Sequence, residues 1–289
     1  GFLALAGGDL DGDGDLDLVA SNNIQGQVVH YENLGGGIFG EAEILSNVSA
    51  APLVLRIDDL DQDGDLDVLY PGSLSSTVVW LKNVGGGDFA QPQVLGATGD
   101  TSYGLVVEDF DQDGDKDLAV CGHERASWFE NLGSEVFALP VQLDGATQSS
   151  RDLIGADMDG DGDTDLVMTS VFGEYVALFR NDGNGFSAKE LIAQDVPTAD
   201  TIVSGDFDGD GDQDLALGYY DFIINGEILV FANDGSGALE APVTIDEQID
   251  VVSQLVAVDF DGDGALDLMS AVRDEAEVAL YTNDGSGQF

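Results

Sequence analysis

Short apolar runs alternate along the chain with acidic and glycine-rich stretches. In one such cycle residues 53–57 are apolar, 67–70 follow an acidic segment, 78–81 are β-branched and aromatic, and Val94 and Leu95 lie beyond a glycine turn. Runs of this length, bounded by Gly, Asn and Asp, predict β-strands, and no segment of ten or more residues carries a helical apolar period.

The cycle repeats. An Asp-x-Asp-x-Asp-Gly-x-x-Asp segment starts at Asp9, Asp59, Asp109, Asp157, Asp206 and Asp259, at intervals of 50, 50, 48, 49 and 53 residues. A second signature, Asn33-Leu-Gly-Gly-Gly-Ile-Phe39, returns from Asn83, Asn131, Asn181, Asn233 and Asn283, which lie 22 to 27 residues after the first Asp of their own copy. Constant spacing between two signatures makes each repeat one supersecondary unit, with insertions confined to its connections. Four short strands in about 50 residues match a propeller blade. The sequence therefore predicts an all-β fold, a β-propeller of six four-stranded blades in one domain over 1–289, with repeats beginning near 3, 53, 103, 151, 200 and 253. An open β-solenoid is the alternative, although its repeats are usually shorter. Residues 42–45 and 243–245 read as fourth strands. The sixth repeat stops at Phe289, directly after its glycine turn, so the sixth blade is expected to lack its outer strand. Its edge, about residues 277–282, would then pair with a neighbouring chain or with a continuation of the polypeptide. With alternating strands, the N-terminus belongs at the end opposite the acidic loops and Phe289 at the loop end.

The acidic loops carry the chemistry. Calcium takes six to eight hard oxygens, and carboxylates at alternate positions of a curled loop converge on one point, with Gly at the sixth position allowing the turn. The expected metal-binding residues are Asp9, Asp11, Asp13, Asp15 and Asp17 in loop one, and Asp59, Asp61, Asp63, Asp65 and Asp67 in loop two. Loop three supplies Asp109, Asp111, Asp113, Asp115 and Asp117, and loop four Asp157, Asp159, Asp161, Asp163 and Asp165. Loop five supplies Asp206, Asp208, Asp210, Asp212 and Asp214, and loop six Asp259, Asp261, Asp263, Ala265 and Asp267. The first, third, fifth and ninth positions would ligate through side chains and the seventh through its backbone carbonyl, which tolerates the change to Ala265. The second position, always Leu, Phe or Met, reads as an apolar anchor. An EF-hand would need Glu at the twelfth position, where this chain has Ala20, Tyr70, Val120, Met168, Leu217 and Ser270.

Composition supports a cation partner. The 289 residues hold 57 acidic and 8 basic side chains, net −49. Four carboxylates in one metal-free loop make six like-charge pairs, roughly 6 to 24 kcal/mol of repulsion between the aqueous and intermediate-dielectric limits, against a domain stability of about 5 to 15 kcal/mol. Six Ca2+ ions would move the net charge from −49 to −37. Magnesium suits the loops less, since it demands stricter octahedral geometry. So acidic a chain makes nucleic acid an unsuitable partner, and no apolar stretch is long enough to insert in a membrane. The 39 glycines and 6 prolines fit tight turns, and the lone Cys121 cannot form an internal disulfide. The opening Gly1 and the absence of a signal-peptide pattern suggest a mature or excised piece of a longer chain.

On these motifs the chain resembles the FG-GAP or VCBS repeat family, known from the integrin α-subunit propeller and from secreted microbial proteins. Residues 206–215, with the Gly-Asp pair at their start, and Asn283-Asp-Gly-Ser-Gly-Gln-Phe289 look like consensus forms of its two motifs. The departures are Ser134 and Glu135 at glycine positions of the third turn, a fourth repeat one residue shorter before Phe186, and Leu239 in place of Phe. The resemblance implies calcium loops between the first and second strands of each blade, with partners bound on the opposite face.

That face is expected to carry His123 and Arg125 in a second-to-third-strand connection, with Arg151, Phe172, Tyr219, Tyr220, Phe222, Arg273 and Tyr103. Exposed aromatics and arginines anchor recognition, and aromatic faces stack on sugars; several of these side chains would equally seal the blades. His30 reads as a packed strand residue, Trp80 and Trp128 as inter-blade core, and Asn47-Val-Ser49 as a glycosylation triplet. The functional expectation is a non-catalytic extracellular adhesion or recognition module for glycan or protein. The alternatives are a structural subunit of a surface layer or filament, and a polysaccharide-active enzyme such as a lyase, for which no His, Lys or Tyr constellation stands out.

Overall fold

A computed structural model describes residues 2–22, 24–47, 52–72, 76–99, 101–220, 226–249, 251–272 and 277–289. Every named element is a β-strand, and no helix forms among the described residues. The strands make six antiparallel meanders, the blades of a β-propeller, five of four strands and the last of three. The chain forms two compact units, Gly1–Ala146 and Thr147–Phe289.

The first unit holds three blades. Blade one is β1 (Phe2–Gly8), β2 (Asp17–Asn22), β3 (Gln27–Tyr31) and β4 (Glu43–Asn47). Blade two is β5 (Arg56–Asp58), β6 (Asp67–Gly72), β7 (Thr77–Leu81) and β8 (Gln93–Ala97). Blade three is β9 (Ser102–Glu108), β10 (Asp117–Gly122), β11 (Ala126–Phe129) and β12 (Val141–Asp144). Leu10, Val19 and Val28 of the first blade pack against Leu55, Val68 and Tyr70 of the second. Trp80 and Val78 of the second pack against Leu105, Val107 and Phe129 of the third, so Trp80 is inter-blade core as its position predicts. Trp128 is buried as well.

The second unit repeats the plan. Blade four is β13 (Ser150–Ala156), β14 (Asp165–Ser170), β15 (Tyr175–Phe179) and β16 (Glu190–Gln194). Blade five is β17 (Ala199–Gly205), β18 (Asp214–Tyr219), β19 (Gly226–Phe231) and β20 (Val243–Ile249). Blade six is β21 (Val252–Val258), β22 (Asp267–Val272) and β23 (Glu277–Tyr281). Middle strands such as β14 and β15 are buried on both faces, which is why they read as continuous apolar runs. The outer strand β16 is exposed or half-buried along its length and carries Glu190 and Gln194.

The apolar run at 53–57 is strand only from Arg56, although Leu55 is buried beneath it. Burial there rewards side chains that precede the ladder. Positive φ explains how the irregular turns survive substitution: Ser134 and Glu135 adopt φ of 54° and 63° in place of glycine. The turn bridges persist at Asn181↔Phe186 in the shortened repeat and at Asn233↔Leu239 where Leu replaces Phe.

Blade six is three-stranded as the sequence predicts, and its packing differs. The second-position anchor is buried in five repeats, at 0 to 2% exposure for Leu10, Leu60, Phe110, Met158 and Phe207, whereas Phe260 is 58% exposed. Val256, Val278 and Leu280 of the same blade are exposed too. Phe289 stacks edge-on against Phe207 at 5.8 Å and so ends beside an acidic loop; β1 runs from Phe2, opposite Asn22, to Gly8, opposite Asp17 at the loop end of its hairpin. Phe207→Ala should cost about 3–5 kcal/mol, the range for a fully buried aromatic, and Phe260→Ala about 1 kcal/mol or less. Denaturant unfolding of the two variants checks the contrast.

Candidate metal centres

All six acidic loops join the first and second strands of their blades, and each second strand begins on the ninth-position Asp. The loop turns back at the sixth position, where glycine takes φ of 95–99° in every copy. The fourth position is also left-handed, which Gln62 and Gln112 accept at φ of 59° and 57°.

Hydrogen bonds fix the curl. The sixth-position amide donates to the first-position carboxylate in all six loops, at 3.0–3.2 Å, as from Gly14 to Asp9 and from Gly264 to Asp259. The seventh-position amide donates to the fifth-position carboxylate at 2.9–3.1 Å, and Ala265 does so to Asp263 as well as any Asp. These bonds aim the carboxylates inward. Ligand oxygens of Asp9, Asp11 and Asp13 lie within 4.8 Å of one another, as do those of Asp109, Asp111 and Asp113 and of Asp206, Asp208 and Asp210. In loops two and four the converging sets are Asp59, Asp61 and Asp67, and Asp157, Asp159 and Asp165. Buried oxygens without a partner, Oδ1 of Asp61, Asp109 and Asp159, fit a cation acceptor. Clusters of this chemistry can hold metal ions.

The ninth-position Asp has a second task that its ligand spacing does not reveal. Its Oδ2 accepts the amide of the second position, as from Leu10 to Asp17 at 2.9 Å, and the same bond forms in the other five loops. Its Oδ1 accepts the backbone amide of the Asn that opens the second signature, at 2.7–2.8 Å in all six repeats. The Asn side chain then donates to the carbonyl before the ninth position, for example Asn233 to Gln213 at 3.0 Å. In Asn83, Asn233 and Asn283 it also reaches the second-position carbonyl of the preceding blade, Leu10, Met158 and Phe207, at 2.7–2.8 Å. Sequence reasoning missed this role for the Asn, whose signal was the near-constant interval between the signatures.

Burial raises the carboxyls of Asp67 and Asp117 to about 7 and of Asp165 to about 6, and shifts Asp214 upward, against the amide hydrogen bonds that oppose it. In blade six the amides of Asn283 and Phe260 win instead and hold Asp267 below its ordinary value.

The residues expected at the opposite ends of the blades are scattered over both units. His123 and Arg125 are exposed between β10 and β11, with the Arg125 guanidinium lying over Gly99. Arg151 Nε is 3.7 Å from Asp200. Phe172 is 70% exposed, while Tyr219 packs partly against the core of blades four and five. Tyr220 and Tyr103 are half-buried. Phe222, Arg273 and Ser49 of the glycosylation triplet lie outside the described residues. His30 is buried beside Asp17 and edge-on to Phe89, a packed position as its strand context predicts.

A model of the FG-GAP-like repeat matches residues 9–70, 59–120, 109–168 and 157–217. A solved structure described as the structural basis of specific recognition of non-reducing terminal N-acetylglucosamine by an Agrocybe aegerita lectin is similar over 99% of this chain and 78% of its own, at 20% identity and a TM-score of 0.70. That likeness is one of fold. No curated protein matches the chain.

The raised carboxyls set a pH dependence for the metal-free protein. A carboxyl whose folded value lies above its unfolded 3.8 contributes stability that is full below about pH 4 and lost as pH rises through 6 to 7. Thermal midpoints in chelator should therefore be higher at pH 5 than at pH 8. A divalent cation competes with those protons and should reverse the order; melting at the two pH values with and without the ion checks both statements.

Proposed function

Because the chain belongs to the FG-GAP-like repeat family, we propose that it is a calcium-stabilised recognition module that acts outside the cell, binds glycan and catalyses no reaction. The observation that carries this reading is the division of labour within each blade. One end is a hairpin loop whose inward carboxylates stand ready for a hard cation, and the other end is free of that duty.

Calcium fits the donors best. The first-, third- and fifth-position carboxylates, with the seventh carbonyl and the ninth carboxylate, offer hard oxygens in a loop with no rigid octahedral frame. Bound there, the ion would neutralise the like charges that otherwise strain the hairpin. The chain's own residues do the rest: the first-position carboxylate holds the curl, and the ninth ties it to the next turn. At the opposite ends, exposed Phe172 in one unit, and His123 with Arg125 in the other, offer a stacking face and hydrogen-bond donors of the kind sugars require. The fold shared with a lectin supports a glycan ligand and a binding role.

Metal analysis after equilibration with calcium should give six ions per chain, and well under one ion per loop would overturn the metal reading. Removing calcium with excess chelator at low salt should lower the thermal midpoint. On a glycan array the calcium-loaded protein should bind a defined set of sugars and Phe172→Ala should weaken that binding, by about tenfold for the loss of one stacked aromatic. No binding to any glycan, or turnover of an acidic polysaccharide, would overturn the recognition reading.

A further inference from the structure

The backbone just before the turn Asn is held next to its own acidic loop, because the ninth-position Asp accepts the amide of that Asn. Across the six repeats this position is Glu32, Lys82, Glu130, Arg180, Ala232 and Thr282. Two of the eight basic residues in the chain therefore fall at one repeat position, and both turn onto the loop. Lys82 Nζ pairs with Asp61 Oδ2, lies 3.5 Å from Asp63 Oδ2 and 2.8 Å from Glu135 Oε1. Arg180 Nη1 bonds Asp159 Oδ2 at 2.6 Å, while its Nε reaches Glu190 at 3.2 Å. Asp61 and Asp159 are the same residue of the repeat, the third loop position.

Two further differences coincide with these cations. In loops one, three, five and six the third-position Oδ1 accepts the fifth-position amide at 3.1–3.2 Å. In loops two and four the carboxylate has turned to its cation and does not make that bond; its Oδ1 is buried without a partner at both Asp61 and Asp159. The converging oxygens also change, from the first, third and fifth positions in loops one, three and five to the first, third and ninth in loops two and four.

We infer that Lys82 and Arg180 are built-in counter-cations that divide the six loops into two classes, four that bind calcium tightly and two, loops two and four, that bind it more weakly and hold their shape without it. The inference rests on the metal reading above. Two physical effects point the same way. A fixed positive charge on a ligand carboxylate opposes an incoming divalent ion, and ligand charge count sets affinity in calcium loops. In the metal-free protein the same charge offsets part of the carboxylate repulsion, so these two hairpins gain less from the ion. The weak loops fall in different units, one in each, so each unit keeps two tight loops and one that responds to changes in calcium level.

Calorimetric titration of the intact, metal-stripped chain with calcium at low salt tests the division. Two classes of sites in a ratio of two to one are expected, the weaker by about tenfold or more. Lys82→Gln with Arg180→Gln should merge them into one tight class, and in chelator the same double variant should melt below the parent. Ala232→Lys should move loop five from the tight class to the weak one, a gain that a misfolded variant cannot mimic. Six equivalent sites, unchanged by any of these substitutions, would overturn the inference and leave the metal reading standing. Weaker binding in Lys82→Gln would overturn it too, by showing that the cation orients its ligand. No calcium bound at any loop would sink both readings together.

Discussion

The structure depends on one carboxylate per repeat. The ninth-position Asp is fully or almost fully buried in every copy, and it accepts two backbone amides, one from the start of its own loop and one from the turn that follows the third strand. Buried charge is costly unless it is hydrogen-bonded, and these two amides meet that need. In doing so they bind the two ends of a hairpin to a third strand. At Asn83, Asn233 and Asn283 the turn Asn carries the link onward to a carbonyl of the preceding blade, so there a local polar contact ties blade to blade as well as fixing loop shape. Apolar packing between sheets supplies the bulk of the stability, but packing alone leaves register free to slip, and this clasp fixes it.

The same Asp couples the fold to a loop that could hold a cation. Four carboxylates crowd a loop whose backbone is already determined by their hydrogen bonds to amides. Each amide bond orients a carboxylate and leaves its remaining lone pairs toward the centre, so the loop is preorganised before an ion arrives. Burial of the ninth-position carboxylate has an electrostatic cost, visible in the raised values of Asp67, Asp117 and Asp165, which the amide hydrogen bonds offset only in part. A cation bound in the loop would relieve it. Hence the acidity of the loops, the burial of the clasp and the capacity to hold a metal ion follow from the same residues.

Much of this was legible in the sequence because repetition makes each role visible six times. The strands and the apolar anchor follow from the repeated pattern, the three-stranded last blade from the sixth repeat's lack of a run beyond its turn, and the hairpin position of the loops from the family resemblance. What escaped notice were contacts between signatures. The Asn was read as part of a turn, although its near-constant distance from the loop marked it as a partner. Gln62 and Gln112 stand in left-handed conformation where four other repeats have glycine, which a comparison of fourth positions would have exposed. Nothing in the spacing assigns Lys82 and Arg180 a role, and the structure puts both onto the third-position Asp. Side-chain direction is not encoded in spacing alone, and the ends of the blades opposite the loops show the limit. There Phe172 lies in the turn beyond β14 and is exposed, whereas Tyr219, which the sequence places in a connection, closes β18 and is partly packed.

Blade six shows how far identical sequence can diverge in environment. Phe260 occupies the same position as Phe207, with the same following Asp-Gly-Asp-Gly, yet one is exposed and the other sealed by the neighbouring blade. The clasp survives this change: Asp267 still accepts the amides of Phe260 and Asn283. Its carboxyl nevertheless shifts downward where those of Asp67, Asp117, Asp165 and Asp214 shift upward, because those hydrogen bonds remain while the desolvation that a covering blade imposes is weaker. Hydrogen bonding is thus a property of the repeat, written into its own residues, whereas burial is a property of its neighbours. A repeat sequence specifies the geometry of a cation loop by itself, but the electrostatic strength of that loop is set by what lies against it.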